Sequence, residues 1–186
     1  MTQAAATGSV TDVEQNREVL RSLVASNAGQ PMAWITAARF EASVGKTTAA
    51  RKLILDGTRA CPHSEDVWVE AASLLPPDQA QGILAEAVRN VPNSVKIWIA
   101  ASELEATSAG KKAVLKAAIE SIPGSVQLWK AAVALEDEDE ARLLLAAAVE
   151  QIPTAVELWL ALARIETYDN ARKVLNKARK ANPTEP

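Results

Sequence analysis

The five tryptophans of this chain, Trp34, Trp68, Trp98, Trp129 and Trp159, recur at intervals of 34, 30, 31 and 30. That period is the one used by paired-helix solenoids, whose units bury their apolar sides only by stacking on neighbours. Four tryptophans close a common phrase: Pro62 to Trp68, Pro92 to Trp98, Pro123 to Trp129 and Pro153 to Trp159 each span six steps. Proline cannot continue the preceding helix, and the serine two positions on (Ser64, Ser94, Ser125) suits the N-cap of the next. Ala28 holds the proline slot ahead of Trp34, and Pro183 opens a further copy.

Counting from each tryptophan, apolar residues recur at +3 (Ala37, Ala71, Ala101, Ala132, Leu162) and +6 (Phe40, Leu74, Leu104, Leu135, Ile165), with +4 apolar in all repeats but that of Ser102. This is helical spacing, with small residues that admit a neighbouring helix and an indole expected to supply a large buried area in each repeat. A second helix carries the pairs Leu53-Ile54, Ile83-Leu84, Val114-Leu115, Leu144-Leu145 and Val174-Leu175. From Arg51, Gln81, Lys112, Arg142 or Arg172 the interval to the next proline is constant at 11, whereas the interval from the tryptophan to that same position is 17, 13, 14, 13 and 13. Length therefore varies only in the turn inside each pair, roomiest at Ser43–Thr47.

The expected fold is all-α: a right-handed α-solenoid of antiparallel helix pairs, five pairs plus one N-terminal helix. The expected divisions are a flexible tail over 1–10, a lone second helix over 11–27, repeats over 28–61, 62–91, 92–122, 123–152 and 153–182, and the start of a further repeat over 183–186.

Tetratricopeptide repeats place Gly at +4 and Tyr at +7. This chain has no Gly at +4, and at +7 it has Glu41, Glu105, Glu136 and Glu166, with Leu75 as the exception. Together with Ala50-Arg51, Ala141-Arg142 and Ala171-Arg172, that pattern resembles the HAT (half-a-TPR) repeat of RNA-processing scaffolds. The runs Ser64–Ala72, Ser125–Ala132 and Val156–Arg179 resemble the HAT scaffold of the spliceosomal tri-snRNP, over about residues 12 to 186. The resemblance implies a nuclear, non-enzymatic scaffold that bridges spliceosomal proteins of the tri-snRNP. The alternatives are a HAT scaffold of cleavage/polyadenylation or rRNA processing, or a TPR-like adaptor. Family members are several times longer, which implies a fragment or an unusually short relative.

Other chemistry finds little support. A net charge of −3, with seven acids against two bases over positions 62 to 106, argues against a continuous phosphate-tracking stripe. The best RNA candidate is Arg172, Lys173, Lys177, Arg179 and Lys180, read first as a solvated helix surface, so direct RNA contact is unsupported. The sole cysteine, Cys61, fills an apolar slot, and the sole histidine, His63, a turn slot. No phosphate loop, nucleophile motif or metal-ligand spacing is present, and Glu136–Glu140 lacks the oxygen spacing and glycine of a calcium loop. No apolar run approaches the roughly 18 residues that would span a bilayer. No cofactor, membrane partner or small-molecule substrate is expected.

Two sets of positions remain as candidates. Positions −2, +2 and +5 from tryptophan share one face of the first helix and differ between repeats, giving a candidate partner face with Asp66, Glu70, Lys96, Glu103, Gln127, Glu157 and Arg164. The +7 glutamate and the base that precedes the next proline vary together, since Leu75 accompanies Gln81. Ion pairs Glu41–Arg51, Glu105–Lys112, Glu136–Arg142 and Glu166–Arg172 across the turn of each helix pair are therefore expected.

Overall fold

A computed structural model describes residues 3–183, with side chains from residue 12 onward. The described residues form eleven helices and no strand. The first, α1 (Gln3–Ser26), is the longest; the others run from the two turns of Val126–Val133 to the four turns of helices such as Glu138–Gln151. The chain divides into two compact units, residues 1–100 and 101–186. Both are built from the same repeating helix pair, the architecture of a TPR/HAT-like α-solenoid.

The first unit contains α1, the pair α2 (Pro31–Ser43) and α3 (Thr47–Ala60), the pair α4 (Glu65–Leu74) and α5 (Pro77–Asn90), and the start of α6 (Val95–Leu104). Each helix from α1 to α4 packs on the next in sequence. The core of this unit runs through Ile35, Ala38, Ile54, Val67 and Ala71, with Val24 of α1 closing it against Ala33 and Ala37. Helix α1 begins at Gln3, not near residue 11, which corrects the expected tail for residues 3–10, while residues 1 and 2 lie outside the described residues; alanine, frequent in its opening turns, has the highest helix propensity of any residue.

The second unit continues with α7 (Ser108–Ser121), α8 (Val126–Val133), α9 (Glu138–Gln151), α10 (Val156–Ile165) and α11 (Tyr168–Ala181). Its core joins Trp129, Leu145, Ala148, Val149, Leu158, Trp159 and Leu162. Pro183 is exposed, and the remainder of the expected 183–186 segment lies outside the described residues.

Within the pairs the deepest positions are the leucine or isoleucine of the second helix (Ile54, Leu84, Leu115, Leu145) and the residue just before tryptophan (Val67, Ile97, Leu128, Leu158). The latter slot is apolar and mostly branched in the sequence. Trp68, Trp129 and Trp159 are buried, but Trp34 and Trp98 are only half-buried, so the large buried area expected of the indole is not reached at those two positions. Of the expected serine caps, Ser94 and Ser125 accept from the backbone N–H three positions on, at Ile97 and Leu128, whereas Ser64 makes no side-chain cap bond.

Candidate protein-interaction surface

Proline and tryptophan lie six steps apart for a reason that the geometry makes plain. Each indole Nε1 donates to the carbonyl of the slot six positions earlier: Trp68 to Pro62 at 2.7 Å, and Trp98 to Pro92, Trp129 to Pro123 and Trp159 to Pro153 at 2.9 Å. Trp34 does the same to Ala28 at 2.8 Å. The carbonyl follows the end of one helix, where backbone acceptors lack helical partners, so each indole ties the first helix of a repeat to the turn that introduces it.

The expected ion pairs Glu41–Arg51, Glu105–Lys112, Glu136–Arg142 and Glu166–Arg172 do not form. The +7 carboxylate turns instead to the base of the preceding second helix. Arg17 of α1 grips Glu41 with two bonds, Nε–Oε1 at 2.5 Å and Nη2–Oε2 at 2.9 Å. Lys112 meets Glu136, and Arg142 Nε lies 3.7 Å from Glu166 Oε1. In every case the base precedes its carboxylate by an interval of 24. Gln81 holds the base slot 24 positions ahead of Glu105 and carries no charge. Leu75 stands where Arg51 would find its acid, and Arg51 donates to the carbonyl of Leu74 at 2.9 Å. The glutamates thus link consecutive repeats. The reason is directional: the +7 residue sits at the end of the first helix, beside the preceding second helix on which that first helix packs.

Electrostatics follow these contacts. The Arg17 hydrogen bonds hold the nearly buried Glu41 carboxyl below its ordinary value against the opposing effect of burial, and Glu41 in turn raises Arg17. Glu136 raises Lys112 in the same way. Cys61 is buried, with its Sγ 3.6 Å from the carbonyl of Ala28, and burial pushes its thiol up. His63 is exposed in its turn. Among the described residues no cluster of His, Cys, Asp or Glu could hold a metal ion, and no helix is long and apolar enough to cross a membrane.

The first-helix face is less open than its polarity suggests. Asp66 pairs with Lys96, Glu157 pairs with Lys130 at 2.8 Å, and Glu70 accepts a two-pronged bond from Arg39 at 2.8 and 2.5 Å. Each of these joins one repeat to the next. Glu103, Gln127 and Arg164 are exposed.

On the side of the second helices, each unit contains an apolar groove. One, of about 400 Å³, lies between α1 and α3 with Ala37 and Leu53 in its lining and Arg17 and Glu41 at its edge. The other, of about 450 Å³, lies between α7 and α9 with Ala132 and Leu144 in its lining and Lys112 and Glu136 at its edge. The two use the same repeat positions. Alanine stands at +3 in both grooves, whereas Leu162 holds that position in the last repeat and Leu75 replaces the +7 glutamate in the second.

No protein-family model matches the chain. Human pre-mRNA-processing factor 6 is 54% identical over 138 residues, 74% of this chain and 15% of that protein. Protein STABILIZED1 of Arabidopsis thaliana is 49% identical over 136 residues, 73% of this chain and 13% of that protein. Pre-mRNA-splicing factor prp1 of Schizosaccharomyces pombe is 49% identical over 105 residues, 56% of this chain and 12% of that protein. The chain thus spans about 15% or less of the length of these relatives. Among solved structures, the TPR protein YrrB covers 91% of this chain, with 95% of its own length aligned, at 15% identity and a TM-score of 0.47. The MamA protein covers 81% of this chain, with 91% of its own length aligned, at 13% identity and a TM-score of 0.49.

Proposed function

We propose that this chain, a HAT-repeat protein resembling pre-mRNA-processing factor 6, is a non-enzymatic protein-binding scaffold in pre-mRNA splicing. Its finer role would be to bridge protein components of the tri-snRNP in the nucleus. The observation that carries the reading is the identity of 54% over 138 residues. Two physical features support a scaffold: stacked helix pairs expose extended surfaces that vary from repeat to repeat, and the grooves beside α1 and α7 are apolar recesses suited to partner side chains.

Affinity purification of the tagged chain from nuclear extract, with quantitative mass spectrometry, tests it. Enrichment of tri-snRNP proteins is the expected result; enrichment of cleavage and polyadenylation or rRNA-processing factors in their place would overturn it. Protein recognition also implies weak contact with nucleic acid. An unrelated RNA should bind no more tightly than ~10⁻⁴ M at physiological salt, and submicromolar binding lost on neutralising Lys173, Lys177 and Lys180 would point to an RNA role.

A further inference from the structure

We infer that the groove between α7 and α9 docks a basic amphipathic helix of a partner protein. The inference rests on the scaffold reading and names the chemistry of the partner that this groove would take. Helix α8 floors the groove with Trp129 and Ala132, and Ile119 of α7 and Leu144 of α9 line its walls. At about 450 Å³ it falls among cavities that receive apolar groups, roughly 300 to 1,000 Å³. The repeat that follows α9 is in place, with α10 packed on α9, and the groove is open all the same.

The apolar surface continues past the recess. Leu143 and Glu140 occupy the repeat positions at which Lys52 and Ala49 border the groove of the first unit, so α9 sets a leucine where the equivalent helix α3 has a lysine. That leucine is 66% exposed, the most of any leucine among the described residues. Ala113 and Ala147 on the walls are exposed as well. Ile119 is only half-buried, whereas Val149, in the same slot of α9, is buried in one core cluster with Trp159 and Leu162. Apolar side chains left open in a contiguous patch mark an interaction site.

The charges at the rim select the sign of the partner. They are Lys112, Lys116 and Glu120 of α7, Glu136 and Asp137 of the turn after α8, and Glu140 of α9; Lys130 of α8 is turned to Glu157 instead. Lys112 is engaged by Glu136, and Asp137 and Glu140 lie near enough to raise it further. Lys116 is then set against Glu120, Asp137 and Glu140, and among the described residues none of these three acids has an ion-pair partner. Glu138 and Asp139, on the same turn, are held by Arg142. Asp137 and Glu140 suit the N-terminus of α9, but Glu120 stands in the last turn of α7, where the helix macrodipole disfavours an acid. The equivalent slots of α3 and α5 hold Arg59 and Arg89, while α9 also has an acid there, Glu150. The rim acids thus lie toward both ends of the groove. From Lys112 to Glu120 is about 12 Å along α7, or two helical turns. An amphipathic helix laid along that length offers apolar anchors at i, i+3 or i+4 and i+7, with a lysine or arginine at each end of the row to meet the acids. An acidic helix would bring carboxylates onto a rim that already has an excess of them.

The test uses the whole chain and fluorescein-labelled helical peptides of about 20 residues, long enough to hold a helix. One peptide has leucines on one side flanked by lysines; a second has glutamates in place of the lysines, and a third keeps the lysines but has serines in place of the leucines. In fluorescence anisotropy the first should bind at least about tenfold more tightly than either of the others, as expected where apolar fit and charge complementarity act together. Ala113→Gln with Ala147→Gln puts polar side chains into the groove at two exposed helical positions and should remove that advantage with no change in circular dichroism. Glu120→Lys with Glu140→Lys should turn the preference toward the glutamate peptide. Equal binding of the two lysine peptides would reduce the effect to general attraction between a basic peptide and an acidic protein and overturn the proposal. No binding of any peptide, or a preference that survives both pairs of substitutions, would overturn it too. So would self-association in sedimentation velocity that the glutamine pair abolishes, since that outcome assigns the groove to a second copy of the chain. Tri-snRNP enrichment unaffected by either pair would remove this groove from the scaffold while leaving the scaffold reading standing.

Discussion

The indole nitrogen is the part of tryptophan that no other apolar residue supplies, and in every repeat it is used against the carbonyl six positions upstream. Burial then decides how much each indole contributes. Trp68 is 2% exposed, whereas Trp34 and Trp98 are half-buried. Trp68→Ala should cost about 3 to 5 kcal/mol, near the top of the range for large-to-small core changes, and Trp98→Ala distinctly less. Urea melts of both variants would check the order, with equal losses contradicting it. Glu41 allows a second test. Its folded carboxyl is held below the ordinary value by Arg17, so the pair contributes stability above the ordinary carboxylate range that is lost as pH falls through the lowered value. Glu41→Gln should lower stability at neutral pH and flatten its decline in acid; parallel pH profiles for variant and wild type would count against this.

At the scale of the helix pair, sequence spacing suffices to place the second helices and the turns, because proline, tryptophan and the apolar positions all report on local backbone. The ion-pair partners escape it for a physical reason. Covariation of Leu75 with Gln81 points to neighbours within a repeat, whereas the carboxylates reach the preceding second helix. A signal is present all the same: the interval from base to carboxylate is a constant 24 across repeats, and Arg17 stands in the base slot ahead of Ala28, as Arg51 does ahead of Pro62. A double-mutant cycle on Arg142 and Glu166 should give a coupling of up to about 1 kcal/mol, as for a partly exposed pair, with none measurable between Arg142 and Glu136. Two helical glycines separate packing from propensity. A Cβ on Gly57 would lie 2.8 Å from Trp34 Cβ, while one on Gly82 meets nothing within 4 Å. Gly57→Ala should destabilise by about 1 to 3 kcal/mol and Gly82→Ala should stabilise by about 0.5 to 1 kcal/mol; thermal melts that move in the same direction would refute the contrast.

For the molecule as a whole, the repeat period and the +7 glutamates are enough to indicate helix pairs of HAT type, since a solenoid restates its rules in each repeat. Its working surface is harder to locate. Polar variation on the first helices suggests a binding face, yet Asp66, Glu70 and Glu157 are engaged in joining one repeat to the next. The recesses between second helices depend on what is missing, the side-chain volume beyond Cβ at Ala37 and Ala132, and an absent volume leaves little trace in a pattern of apolar letters.

The constant interval also governs where this chain can change length. The stretch from base to carboxylate includes the proline turn, the indole clasp and all or nearly all of the first helix, but it excludes the turn that follows the carboxylate. Gly45, at a φ of +77°, already lets the first of those turns run longer than the rest. Insertions should therefore accumulate there in descendants of this sequence and be purged from the proline turns. Two glycines added between Gly45 and Lys46 should change stability by well under about 1 kcal/mol, since loop closure depends only weakly on length. The same two placed between Pro62 and His63 would pull Trp68 from the Pro62 carbonyl and shift the contacts that follow out of step with Arg51.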